Sequence, residues 1–352
     1  MVKLLIYFSF LLVGLSSCEE YYTPAIDAVE GQLVVEAMIT NDPVQNFVRL
    51  SRTNSFYDKQ FTSVVSNATV SLVEINGVVS QGIESDVGYF TFNTTTPVAG
   101  RNYKLQIVFN NNTYESEVVT MPPIPSGTNF YTEHLEKKEY RTDGYGVPVP
   151  YTVVGRELYL DAPLTAELSN YRYSTRAVLE WTFTPKSMGG PPPPTVYGWL
   201  SFHSSDQYNI AGAKQFSMAN KIEKQPLMML PYDTRPIIPG NDPVGWIFIL
   251  DQYGTSKGSF DFHEKLNSQF AATGTLFDPI QTQIYGNITC ISDPSKTVFG
   301  YFDLNSYKQE RFYIYLPGPN PNNSVAIRQI FNHPYIPDNG ENVGFSPDWW
   351  EL

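Results

Sequence analysis

The chain has 352 residues, a formal net charge of −12, a charged fraction of only 16 % and two cysteines. An acidic chain with no run of Lys and Arg repels phosphate backbones, which argues against nucleic acid as a partner. Aromatic residues at 14 %, with 24 Gly and 27 Pro, argue against pervasive disorder and describe a β-rich chain with many turns.

Lys3 is the only charge before an apolar run from Leu4 to Leu15, which ends in Leu15-Ser16-Ser17-Cys18. A basic start, a short apolar stretch and small residues before a break read as a secretory signal, too short to span a bilayer. Leu-Ser-Ser-Cys also has the pattern of a bacterial lipobox. In such a signal the Cys18 sulfur is diacylated, the chain is cut before it and the new amino group is acylated. Acyl chains at ~0.8 kcal/mol per buried methylene then hold the body to a membrane. The alternative is an ordinary secreted protein with Cys18 at its cleavage site by chance. Under the lipobox reading, residues 1–17 are the signal peptide and 18–30 a polar tether. Cys290 then has no intrachain partner and is expected as a small buried hydrophobe on a strand.

Residues 31–121 read as antiparallel strands. Leu33, Val35, Ala37 and Ile39 fall on one face at period two, with Glu36 and Thr40 on the other. Phe47 to Arg52 follows the turn Asn41-Asp42-Pro43. Ala68 to Leu72 alternates up to Asn76-Gly77, the strongest hairpin signal of the chain. Tyr89 to Phe92, Tyr103 to Phe109 and Tyr114 to Thr120 continue the pattern, with a turn at Asn110-Asn111-Asn112. Such spacing fits an immunoglobulin-like or transthyretin-like sandwich. The run Pro122 to Thr128 predicts an extended linker and a domain boundary.

Residues 129–352 predict a larger β-rich domain. Strands are expected over Leu158–Leu160, Arg176–Thr184, Val196–His203, Trp246–Asp251, Gln283–Ile291, Thr297–Leu304 and Glu310–Leu316. Gly189-Gly190 and the four prolines that follow must form a loop. One α-helix is expected from Asp261, whose pairing with Glu264 resembles a capping box. Phe262, Leu266 and Phe270 form its stripe, expected to pack on a sheet.

No catalytic residue, metal site or cofactor is legible. His263-Glu264 lacks the second His of a zinc-protease helix, and the four histidines lie on separate segments. No Gly-x-Ser-x-Gly elbow, phosphate loop or dinucleotide fingerprint occurs. Asp338 to Asn342 lacks the spacing of a calcium loop. Aromatics are the one surplus, and Trp199, Trp246, Trp349 and Trp350 are the candidates for an aromatic surface that stacks a ligand or anchors a partner.

Several stretches together resemble a known family. They are Leu33 to Thr40, Val48 to Thr53, Asn67 to Leu72, Gly88-Tyr89-Phe90, Gly100 to Leu105 and Met121 to Pro125. Later come Thr275 to Asp278, Gly286-Asn287-Ile288, Val298 to Phe302 and Ser346 to Trp350. The chain resembles the domain-of-unknown-function family 4249, lipoproteins of Bacteroidota, over nearly all of its length after the signal. The resemblance carries no activity, and the only functional residue it implies is Cys18. Members are often encoded near TonB-dependent receptors, which implies a supporting role in nutrient uptake. Glu19-Glu20 resembles the signal that sends such lipoproteins to the outer face of the outer membrane. The expectation is therefore a non-catalytic, lipid-anchored, surface-facing component of uptake, with a TonB-dependent receptor as partner and a nutrient as ligand. A structural or adhesive surface module is the alternative, and a hydrolase a distant third.

Overall fold

The computed structural model describes residues 31–54, 63–183, 189–191, 196–203, 208–216, 220–233, 242–271, 283–316, 322, 325–329 and 342–344. Among them the chain is mainly β. The first half forms β1 (Leu33–Thr40), β2 (Phe47–Arg52), β3 (Ser63–Val64), β4 (Thr69–Glu74), β5 (Val79–Gln81), β6 (Ile83–Asp86), β7 (Tyr89–Thr91), β8 (Asn102–Phe109), β9 (Asn112–Ser116) and β10 (Val119–Thr120). There follow β11 (Asn129–Thr142), β12 (Pro148–Pro163), β13 (Asn170–Phe183), β14 (Val196–His203), β15 (Asn209–Gly212), β16 (Lys221–Pro231) and β17 (Asp242–Gly254). Helix α1 (Lys257–Phe270) precedes β18 (Ile288–Cys290), β19 (Val298–Tyr315), β20 (Ala326–Gln329) and β21 (Asn342–Gly344).

The period-two pattern of β1 buries Leu33, Val35, Ala37 and Ile39 on one face. That face meets Val70 and Leu72 of β4 and Leu105 and Ile107 of β8 in a first core between two sheets. The strands are short because their turns are tight. At Asn110-Asn111 both residues take positive φ, 48° and 59°, in a two-residue loop that pairs Phe109 with Asn112. That is the geometry a right-twisted hairpin favours. At Asn76-Gly77 only Asn76 does so, at 62°, in a longer loop between β4 and β5.

The first core is not confined to the expected domain, residues 31–121. Segment 284–305 returns from the far end of the chain. Ile288 and Cys290 enter the core as β18 pairs with β9, while Val298, Phe302 and Leu304 enter as β19 runs parallel to β1 from Leu33↔Val298 to Thr40↔Asn305. Cys290 is a buried core residue, as expected. The physical reason for the correction is that β1 sits inside its sheet, and β2 pairs with only one of its edges. The other edge needs a partner, and parallel pairing requires a crossover that the local hairpins cannot supply.

β19 then continues without a break and changes neighbour. From Ser306 to Ile314 it pairs antiparallel with β17. One sheet thus runs β21-β14-β13-β17-β19-β1-β2-β7-β6 through both halves. The strands expected over 297–304 and 310–316 are one strand. The expected linker is also packed: Pro122 and Pro125 are buried, and Ser306 Oγ donates to the carbonyl of Pro123 at 2.6 Å.

A second core lies between β13, β17 and the latter half of β19 on one side and the sheet β11-β12-β16 on the other. Leu158, Leu160, Ile222 and Leu230 face Leu179, Phe248, Leu250 and Ile314. Phe130 stacks on Phe248 and Phe312 at 5.3 and 4.1 Å. β11 and β16 were not expected from the sequence. β11 buries no residue fully, so it lacks an apolar period, and Pro226 interrupts β16 at a register shift.

Candidate functional site

The even-numbered face of β1 points away from the first core. Val34, Glu36 and Met38 there line a cavity of about 730 Å³, roofed by α1 and closed by β13, β17 and β19. That volume lies within the ~300–1,000 Å³ of small-molecule sites.

α1 starts earlier than the sequence predicts. Its N-cap is Ser256, which accepts from the backbone N–H of Ser259 at 3.1 Å, and not Asp261. Starting a turn sooner changes which face is buried. Ser259, Phe260 and His263 pack inward, Phe262 and Leu266 line the cavity, and Phe270 is exposed. The predicted stripe therefore forms a cavity wall and does not seal against a sheet.

Three charges meet here. Arg172 on β13 holds its guanidinium 4.5 Å over the ring of Tyr253 and sends Nη2 to within 3.2 Å of Met38 Sδ. Its Nε is buried without a hydrogen-bond partner among the described residues. Asp303 on β19 is buried. Its Oδ2 lies 3.5 Å from His263 Nε2, and its Oδ1 has no partner among the described residues. Glu36 sits at the rim, paired with Arg49 at 3.5 Å. Tyr208 lines the same cavity with its ring 4.4 Å from that of His263, and burial raises its hydroxyl, with Arg172 lowering it and Asp303 and Glu36 raising it further.

His263 is held by its other nitrogen. Nδ1 lies 2.9 Å from the Ser259 carbonyl and must donate to it, which assigns the proton to Nδ1. Burial pushes His263 below its ordinary value against the pull of Asp303. Ser259, His263 and Asp303 are close enough to invite comparison with a nucleophile–base–acid triad, since Ser259 Oγ is 3.4 Å from Nδ1. The roles do not fit. Nδ1 is already committed to a carbonyl, so it cannot take the hydroxyl proton, and Ser259 is buried. The cluster is acceptor-rich: with the proton on Nδ1, the bare Nε2 faces Asp303 Oδ2.

The sequence-predicted residues lie elsewhere. Trp199 and Trp246 are buried and do not present an exposed surface. Each sits on a strand with neighbours on both sides, and Trp246 packs 5.7 Å from Phe202 in the second core. Cys18, Trp349 and Trp350 lie outside the described residues, as do His333 and most of the Asp338–Asn342 loop. Exposed rings among the described residues include Tyr140, Tyr145 and Tyr151 of the β11–β12 hairpin, with Tyr145 95 % exposed, and Phe270, Tyr285 and Tyr315 elsewhere. Arg172, His263 and Asp303 were missed because nothing local marks them, and the fold brings them together across well over a hundred residues. The one available signal was the non-core face of β1, which carries Glu36 and Met38.

Among the described residues, no group of three or more His, Cys, Asp or Glu is placed to hold a metal ion, and no helix is long and apolar enough to cross a membrane. The family profile described as Domain of unknown function (DUF4249) matches residues 19–311, which include β1, the cavity residues and the returning strand β19 as far as Arg311. The chain belongs to the DUF4249 family. No curated protein and no solved structure matches it.

Proposed function

We propose that this DUF4249 protein is a Bacteroidota lipoprotein, anchored through Cys18 to the outer face of the outer membrane, that binds a small nutrient for a TonB-dependent receptor. The N-terminal core is of immunoglobulin-like or transthyretin-like kind in this reading, completed by segment 284–305. One observation carries the binding role: the cavity between β1, α1 and β13, with an arginine and an aspartate that the protein leaves without full partners. A spacer or adhesive module has no use for such a cavity. Partner-free charged atoms under a cavity wall cost stability, and a ligand that satisfies them recovers it. The lipobox and the acids Glu19 and Glu20 support the location.

Capture from native membranes tests the proposal. The tagged protein is expected to recover a TonB-dependent receptor, and a Cys18→Ser variant to leave the membrane fraction. Repeated recovery of the lipoprotein alone, together with normal membrane retention of the Cys18→Ser variant, would overturn it.

A further inference from the structure

From the charges around the cavity we infer that its ligand is a free α-amino acid with a large apolar side chain, carboxylate on Arg172 and ammonium on Asp303. The inference rests on the binding role proposed above and names the ligand class. Arg172 forms no ion pair among the described residues; its guanidinium meets only a thioether and a ring. Among the described residues Asp303 meets only a histidine whose proton is turned away from it, leaving acceptor against acceptor. Arg172 Nη2 rests on Met38, which is the register partner of Asp303 across the parallel β1–β19 pair, and both charges line the same cavity, so a cationic and an anionic subsite lie on neighbouring parts of one wall. A monoanion satisfies Arg172 and then confronts Asp303 and Glu36, while a monocation makes the opposite error. A neutral polyol supplies hydrogen bonds and leaves both charges uncompensated. A ligand with opposite charges a few bonds apart answers both, and the α-amino acid head group, with ammonium and carboxylate on one carbon, has that arrangement. Beside the polar Ser174, Gln269 and Gln283, the lining carries Phe262, Leu266 and Phe299, an apolar stretch placed to receive a side chain. The orphaned Nε and Oδ1 are covered by the wall, so both side chains turn to engage the ligand, a rotamer change common at binding sites.

Isothermal titration of the full chain with leucine, phenylalanine, N-acetyl-leucine, leucine amide and glucose tests this. Leucine or phenylalanine is expected to bind, and removal of either charge, in the acetyl or amide derivative, to weaken binding at least tenfold. Arg172→Gln and Asp303→Asn are expected to lose at least tenfold in the same assay. The derivative series needs no variant, so misfolding of either one leaves the test intact. Binding of N-acetyl-leucine as tight as leucine, binding of glucose alone, or no amino-acid binding at millimolar concentration overturns the proposal. If no amino acid binds while a receptor is still captured from membranes, the ligand class is wrong and the uptake role stands. If leucine binds as described and no receptor is captured, the ligand class holds and the uptake role falls.

Discussion

Glu180 shows how one residue sets the protein's response to pH. It is fully buried in the middle of β13, neither carboxylate oxygen has a hydrogen-bond partner among the described residues, and burial pushes its pKa up to about 8. The folded state therefore holds the proton more tightly than the unfolded chain between pH 4.5 and about 8. Stability falls as pH rises through that window. Glu180→Gln, a neutral isostere, should leave stability near pH 4 unchanged and raise it above pH 8, by on the order of 5 kcal/mol given ~1.4 kcal/mol per unit over that window. Urea melts at the two pH values check this, and an equal gain at both would contradict it. His263 acts with the opposite sign. Burial lowers it below 6.5, so its contribution is complete above pH 6.5 and is lost as pH falls below that value. Melts of His263→Gln should lose that acid-side slope. At Asn287 the side chain does the work of a peptide group, donating to the Phe302 carbonyl at 3.0 Å and accepting from its N–H at 2.8 Å. Asn287→Ala strips partners from two buried backbone groups and should cost about 2–4 kcal/mol, read as a shift in the urea midpoint.

At the level of the element, β19 governs the architecture, and a glycine permits its pairing with β1. Gly300 takes φ +90°, and a Cβ there would stand 1.9 Å from the carbonyl oxygen of Val35. Gly100 has a similar φ of +81° with nothing within 4 Å. Gly100→Ala should therefore cost only the backbone penalty of about 1 kcal/mol. Gly300→Ala adds a backbone clash and should abolish most soluble expression; equal midpoints for the two variants would refute this account. The contrast also explains what was legible beforehand. The alternation of β1, β2, β4 and β8 was readable because each buries one face against a nearby strand. The Asn110-Asn111 turn was readable because few residues tolerate positive φ. The continuity of β19 was not: its two ends were readable as strands over 297–304 and 310–316, but from Phe302 to Tyr307 every residue is buried, so apolar and polar residues lose their period across the join. β11 was hidden for the opposite reason, as neither of its faces is deeply covered. The cavity was invisible because Glu36, Arg172, His263 and Asp303 come from four elements, and no local spacing encodes their meeting.

Across the whole molecule the two cores share a backbone, and this decides how the protein unfolds. The first half of β19 supplies Val298, Phe302 and Leu304 to one core, and the second half supplies Phe312 and Ile314 to the other. Where the strand changes neighbours, Asn41 continues the pairing of β1 by clamping the backbone of Tyr307, donating to its carbonyl at 3.1 Å and accepting from its N–H at 2.6 Å. Releasing either core pulls a strand out of the other, so the described body should melt in one cooperative transition, with fluorescence and circular dichroism coincident. The fragment 31–128 gives the sharper test. It keeps the strands β1 to β10 but loses the five core side chains of 288–304 and leaves one edge of β1 unpaired. An open apolar edge is a template for aggregation, so this fragment should be unfolded or aggregated at physiological temperature. Joining 284–305 to it through a flexible linker should restore a dispersed amide spectrum, because the missing strands then return at high effective concentration. A well-dispersed spectrum from 31–128 alone would mean that the first core closes without β19 and that the two halves are separable domains.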